Sequence, residues 1–169
     1  VGGLDHSPDE YIEAGSLAVT AKNASIISSD VGAASVAGSF GQGKSVTVAL
    51  AASVAINEIS GNVTATVRNA DVTTLTGGVT IDATRQGTIE TRAAAASVAV
   101  SASADKSSAV SGAGVAAVNK INSSATATGQ NASIDAKGDV TVSASSSATI
   151  KSLVVGAAAS IGGGAGDGG

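Results

Sequence analysis

The single histidine of the chain lies near its start, in a segment with three carboxylates. His6 could support acid–base or metal chemistry with the acids around it, which are Asp5, Asp9 and Glu10. The Ser-Pro pair that follows the histidine is typical of a helix N-terminus, and acids suit the first turn of a helix. We therefore predict a short capped helix that continues through Ala14, and no catalytic site.

Residues 38–45 end in Gly-Lys-Ser and superficially resemble a phosphate-binding loop. No helical pattern follows them, and the Lys-Ser pair recurs at Lys106 and Ser107 without the glycines. We interpret the segment as structural. No nucleophile elbow of the Gly-x-Ser-x-Gly type accompanies the histidine either. The sequence therefore predicts no enzyme, no catalytic residue and no cofactor.

Calcium is the more serious metal alternative. Residues 163–167 fall one residue short of the Gly-Gly-x-Gly-x-Asp calcium repeat and occur once, whereas such sites need stacked copies to complete the oxygen coordination. Asp71, Asp135 and Asp139 suit turns. We therefore predict no metal site and leave calcium as an open alternative.

Composition restricts the fold more than any motif does. Of 169 residues, 35 are Ala, 25 Ser, 22 Gly, 20 Val and 15 Thr, with one Phe, one Tyr and no Cys, Met or Trp. A core of large side chains is excluded, and disorder is disfavoured because only 13% of residues are charged. The nine basic residues stand singly, which excludes nucleic acid as a partner. The sequence has no stretch of about 18 apolar residues, so no membrane span is predicted.

A repeat of about 62 residues dominates the chain. Equivalent segments recur at this offset, among them Asn57-Glu58-Ile59 with Asn119-Lys120-Ile121, and Lys44-Ser45 with Lys106-Ser107. A one-residue deletion then changes the offset to 61, because residues 79–83 match residues 140–144. A little over two copies fill residues 14–161. Residues 1–13 form a leader, cap or linker, and residues 162–169 form a Gly-rich tail or linker.

Each copy carries the alternation of a half-buried strand. Val79 and Ile81, like Val140 and Val142 one copy later, alternate with polar residues. We predict that all four point into a dry interior. Residues 93–103 and 154–161 are small and apolar on both faces, which predicts strands that are buried from both sides.

These features predict an all-β fold with less than about a tenth helix, a parallel β-solenoid whose coils stack about 4.8 Å apart. Division of each repeat into three coils of roughly 20 residues would give about eight coils. An antiparallel β-sandwich stacked end to end satisfies the same pattern and stays an alternative.

A family resemblance rests on residues 53–57 and 131–144, which read Ser-Val-Ala-Ile-Asn and Asn-Ala-Ser-Ile-Asp-Ala-Lys-Gly-Asp-Val-Thr-Val-Ser-Ala. They resemble the repeats of giant secreted bacterial surface proteins, the β-helical adhesins like filamentous haemagglutinin and leukotoxin. The resemblance implies an extracellular stalk or fibre and transfers no catalytic residue.

The leading hypothesis is therefore a structural segment of an extracellular adhesin or surface fibre that extends, displays and attaches. Its partners would be further repeats of the same chain, copies of itself, or a host or matrix surface. The alternative is a filament subunit joined end to end. A third hypothesis is an ice- or carbohydrate-binding array, formed by residues 64–66 and 126–128. Because those segments are one repeat apart, we expect them not to lie on neighbouring coils.

Overall fold

The fold is a parallel β-solenoid in which one whole repeat makes one coil. The computed structural model describes residues 10–164, of which 88% are in strands and none in a helix. The strands, in chain order, are β1 (Glu10–Ala14), β2 (Leu17–Gly41), β3 (Ser45–Arg68), β4 (Ala70–Thr74), β5 (Val79–Ser103), β6 (Ser107–Gln130), β7 (Ser133–Asp135) and β8 (Val140–Gly164).

The strands form three sheets, and each sheet stacks the equivalent strands of successive coils. Their orders are β1-β4-β7, β2-β5-β8 and β3-β6. In the first sheet Glu10 pairs with Ala70 and Asp71 with Ser133, both in parallel. The parallel stack confirms the predicted fold class and excludes the stacked antiparallel sandwich.

The offset of the hydrogen-bonded pairs corrects the expected size of a coil. The backbone N–H of Ser45 donates to the carbonyl of Lys106 at 3.0 Å, and that of Val79 donates to the carbonyl of Asp139 at 3.0 Å. Residues that pair are thus 60 to 62 positions apart, so the division of each repeat into three coils was wrong. The cause is the length of the strands, since five of them have 24 or 25 residues where a 20-residue coil would need strands of about 5.

The predicted short helix through Ala14 was also wrong, because residues 10–14 form β1. In β1 these residues pair along their whole length with β4, so tertiary pairing outweighs the local helix signals. Among residues 10–164 there is no helix that could cross a membrane.

The turns between strands use residues that tolerate unusual backbone conformations. Asn69 and Asn131 stand at equivalent positions 62 residues apart, and both have a left-handed backbone, with φ of 50° and 49°. Each ends a long strand and precedes a short one. The Asn69 N–H donates to the carbonyl of Gln130 at 3.0 Å, which carries the ladder through the turn.

The chain divides into two compact units. Of the described residues, unit 1 contains 10–25, 59–87 and 121–149, and its interior is apolar. The buried side chains of this core lie on β3, β4 and β5: Val63, Ala65, Val67, Ala70, Val72, Val79, Ile81 and Ala83. Ile12, Leu17 and Val19 of the first coil and Ile134 of the third pack against it. Among the described residues β4 and β5 are thus covered by a strand on each side, whereas β3 pairs with β6 alone.

Unit 2 contains residues 26–58, 88–120 and 150–164, and its interior is small and partly polar. Ala residues alternate there with buried hydroxyls, such as Thr47, Ser97 and Ser101. Asn57 and Asn119, at equivalent positions of neighbouring coils, are joined by an amide hydrogen bond of 2.9 Å, and both bond to Thr91. Small side chains and internal hydrogen bonds replace the large apolar groups of an ordinary core.

The expected burial of the alternating valines is only half confirmed. Val79 and Ile81 are fully buried, whereas Val140 is 50% exposed and Val142 52% exposed. The two later valines lie on β8, the edge strand of its sheet. Within the described residues, the sheet of β3 and β6 has no third strand to cover them.

The expectation that residues 93–103 and 154–161 are buried from both sides was also wrong. On β5 the inner face is closed, with Ala93 and Ala95 nearly inaccessible, but the outer face carries Val98 at 37% exposure. The β8 segment is exposed throughout. The chain has no further layer that covers the outer face within the described residues.

Equivalent positions on neighbouring coils give a matched test of burial. Ile81→Asp should lower the free energy of unfolding by about 4 kcal/mol or more, because it places an unpaired carboxylate in the closed interior of unit 1. Val142→Asp, on the open coil, should cost less than about 1 kcal/mol. Equal losses for the two variants in urea denaturation would contradict the assignment of the faces.

Candidate functional site

The residues that sequence analysis considered for chemistry are not assembled into a site by the described part of the structure. His6, Asp5 and Asp9 lie outside the described residues, and Glu10 is the first residue of β1. Between residues 10 and 164 there is no group of three or more His, Asp or Glu side chains that could hold a metal ion. Calcium stays an untested alternative.

The segment that resembles a phosphate loop lies at a turn between two strands. It has the full Gly-x-x-x-x-Gly-Lys-Ser spacing from Gly38, but Gly38 is in β2, Ser45 begins β3, and no helix follows. Without a helix N-terminus the backbone N–H groups are not gathered toward a phosphate. The Ser45 hydroxyl instead hydrogen-bonds Ser101 at 2.6 Å, next to a Ser39–Ser101 contact of 3.3 Å. The segment forms a turn between two strands, and the absence of a following helix agrees with the sequence pattern.

The threonine pairs are neighbours, contrary to our expectation. Because one repeat makes one coil, Thr66 lies directly beside Thr128, and their hydroxyl oxygens are 3.2 Å apart. Thr64, Thr126 and Thr128 are exposed, and Thr66 is half-buried. Unit 1 thus carries a small ordered array of hydroxyl and methyl groups on the outer face of β3 and β6.

Polar side chains on the outer faces are matched between coils in the same way. Three ion pairs join equivalent positions: Glu58 with Lys120 at 3.1 Å, Glu90 with Lys151 at 3.0 Å, and Asp30 with Arg92 at 3.8 Å. The Lys151 ammonium hydrogen-bonds Glu90 and holds the pKa of that carboxyl below its usual range. Exposed pairs of this kind contribute little to stability, but they oppose pairing of coils in a shifted register.

Hydroxyl and amide groups add to this matching in unit 1. The Ser124 hydroxyl donates to the Asn62 side-chain oxygen at 2.8 Å, 62 positions away. Ser143 and Thr84 donate to Asp82, and these hydrogen bonds lower the pKa of its carboxyl. The same coil-to-coil rule therefore governs charged and neutral groups.

The least expected interior group is a buried arginine in unit 1. Arg85 is 3% exposed, and its Nη1 donates to the side-chain oxygen of Asn23, the equivalent residue of the first coil. Its Nε and Nη2 atoms have no hydrogen-bond partner among the described residues. Gly61, with φ of 141°, lies against the guanidinium, because a Cβ there would stand 3.9 Å from Nη2.

Arg85 was missed in the sequence because it was treated as one of nine scattered bases. Its position in the strand could have indicated burial. Every second residue from Val79 to Ala83 points inward, and residue 85 continues this alternation. A charged residue on the inward phase of a strand is unusual enough to be noted from the sequence alone.

Replacement of Arg85 tests whether this buried cation stabilises the coil. Arg85→Met keeps the length of the side chain and removes the unpartnered donors, so the free energy of unfolding should stay unchanged or rise by about 1–3 kcal/mol. Asn23→Ala, which removes the partner and leaves the guanidinium, should lower it by about 1–3 kcal/mol. Urea denaturation measures both, and a larger loss for the methionine variant than for the alanine variant would show that the guanidinium is required.

Comparisons with known proteins leave the chain without an assigned relative. No protein-family model matches it, and neither the curated proteins nor the solved structures contain a significant match.

Proposed function

We propose that the chain is a structural segment of an extracellular bacterial adhesin or surface fibre, with no catalytic role. The observation that carries the proposal is the coil-to-coil matching: backbone ladders, the Asn57–Asn119 bond and the outer ion pairs all join residues about 62 positions apart, which is one repeat. A molecule built in this way is extended by adding repeats, and each new coil meets the same partners as the previous one.

The size of the coil bears on what such a segment does. One repeat of 62 residues advances the stack by only one strand spacing, about 4.8 Å, so length is gained slowly. Each coil instead exposes two long strands with about a dozen outward side chains apiece. Broad exposed faces suit display and attachment better than they suit extension over a long distance. Within the adhesin proposal, the arrangement therefore favours a role in attachment.

Insertion of one repeat tests the structural role and the location together. A second copy of residues 45–106 placed after Lys106 ends at a position equivalent to its start, so one coil is added in register. The unfolding midpoint should rise, and antibody should label intact cells that express the gene as strongly as before. Insertion of residues 45–75, half a coil, is the matched control and should reduce both.

Labelling that appears only after the cells are made permeable would overturn the extracellular proposal. A fall in the unfolding midpoint on addition of a whole repeat would overturn the proposal that the molecule is extended by adding repeats. The two results are read from different measurements, so each part of the proposal can fail alone.

The threonine array is a second candidate, favoured by the Thr66–Thr128 contact in unit 1. Hydroxyl and methyl groups spaced about 4.8 Å between strands and about 7 Å along a strand present a regular, flat lattice. Such a lattice suits an ordered ligand surface, either ice or a crystalline polysaccharide, and does not need a pocket.

Thr128→Lys should abolish inhibition of ice recrystallisation, or binding to polysaccharide, if the array acts in this way. The fold should be unaffected because the side chain is exposed. Thr80→Lys, also exposed but on the outer face of β5, is the control and should keep the activity. Absence of both activities in the unmodified protein would eliminate this candidate.

A further inference from the structure

In unit 2 the polarity of the strands is reversed, with large apolar side chains outside and small polar ones inside. The outer face of β2 carries Val36 at 82% exposure and Phe40 at 79%, while the inner face carries Ser35, Ser39 and their equivalents on β5. The sheet β2-β5-β8 therefore has, in unit 2, an exposed outer face without a polar side chain over five successive outward positions on each strand. We call it the apolar face; its members are residues 32–40 on β2, 94–102 on β5 and 155–163 on β8, at the outward positions.

The apolar face has a shallow groove at one end and large exposed side chains at the other. A shallow groove crosses one end, over glycine and alanine positions, lined by Gly32, Ala34, Ala94, Ala96, Val155 and Ala157. At the other end the ring of Phe40 lies over Gly38 and remains 79% exposed, and Ile161 on the third strand is 63% exposed. Projection and groove are about 26 Å apart along the strands, which is eight residues of rise.

We propose that the apolar face binds the same face of a second copy of this chain, by a two-fold axis that runs across the strands near Val36. A two-fold axis makes a face self-complementary if its projections match its own grooves. Phe40 of each copy then lies on Gly32 of the other, and Val36 and Val98 each meet their own counterparts. Ile161 packs against Ala157 of the second copy.

The charges at the two ends of the face agree with this arrangement. Asp30 and Arg92 stand on the outer face just beyond the groove and are both well exposed. The same axis brings Asp30 near the turn that contains Lys44, and Arg92 near the turn that contains Asp105. Asp30 therefore faces a cation of the second copy, whereas Arg92 faces a turn that carries both Asp105 and Lys106. The approach of Asp30 to Lys44 favours this orientation over the parallel one.

The available area predicts a weak contact for this chain and a stronger one for longer arrays. Three strands about 4.8 Å apart and nine residues long offer roughly 430 Å² in projection, below the approximately 800 Å² per partner of a typical stable complex. Each added repeat enlarges the face by about 140 Å². A fibre with more coils would thus associate side by side, and this inference holds whether or not the chain is extracellular.

The test measures self-association of the full chain and of two matched variants. Sedimentation equilibrium from about 1 µM to 1 mM should show a reversible dimer of the transient class. Val36→Lys places two ammonium groups at the axis and should raise the dissociation constant at least tenfold. Val54→Lys is the control, because it lies among the exposed apolar side chains on the outer face of β3 in the same unit, such as Leu50 and Ile56. It distinguishes the two faces and should change the dissociation constant less than twofold.

Cross-linking locates the contact independently of stability. The chain has no cysteine, so Val36→Cys provides a single thiol, and packed sheets are about 10 Å apart. A bismaleimide of about that span should join two Val36→Cys chains and leave Val54→Cys chains unjoined. Unchanged unfolding midpoints would show that the variants are folded.

Three results would overturn the proposal. One is a monomer at every concentration, another is loss of the dimer in Val54→Lys instead of Val36→Lys, and the third is cross-linking through position 54. Cosedimentation of the chain with phosphatidylcholine vesicles, abolished by Val36→Lys in the absence of any dimer, would assign the apolar face to lipid and would likewise overturn it.

Discussion

Parallel pairing of each residue with its counterpart 60 to 62 positions away is the constraint on which the remaining features depend. In such a stack a side chain meets the side chain at the same place in the next repeat, so residue types must be compatible with their own equivalents. Asn57 with Asn119 satisfies this rule by an amide hydrogen bond, and Glu58 with Lys120 satisfies it by opposite charge. The bias toward Ala, Ser, Val and Thr follows, because these side chains stack on similar ones without steric conflict.

The same constraint explains why a chain with so few large side chains can be ordered. In unit 1 the middle coil buries Val72, Val79 and Ile81 completely, since a coil covers it on each side. In unit 2 alanine and serine occupy the equivalent layer and bring the backbones close, and hydroxyls such as Ser45 and Ser101 find partners in each other. Order thus comes from repetition of short contacts and backbone ladders rather than from the mass of a single core.

Much of this fold could be predicted from the sequence, because the signal of strand alternation and the signal of the repeat are both local patterns. The inward phase of Val79 and Ile81 was readable for that reason. The size of the coil was not, since a period of 62 is equally compatible with one long coil or several short ones. The exposure of Val140 and Val142 could not be predicted either, because equivalent residues of a repeat do not show which coil has a neighbour on both sides. No ligand site could be predicted, because a stack of this kind places its charged side chains on outer surfaces. Arg85, which is buried, is the exception.

One small irregularity of the repeat has a larger consequence. Pairing changes from an offset of 62 at Asp71 and Ser133 to 61 at Ser143 and Asp82, so the missing residue falls in the turn that precedes β8. Inside a strand, loss of one residue would exchange every subsequent inward side chain for an outward one. In unit 2 that exchange would carry valines and phenylalanine into a space shaped for alanine and serine. Variation in length between repeats is therefore tolerated at the turns and forbidden elsewhere, so strand lengths are expected to be inherited almost unchanged while turns accumulate insertions and deletions.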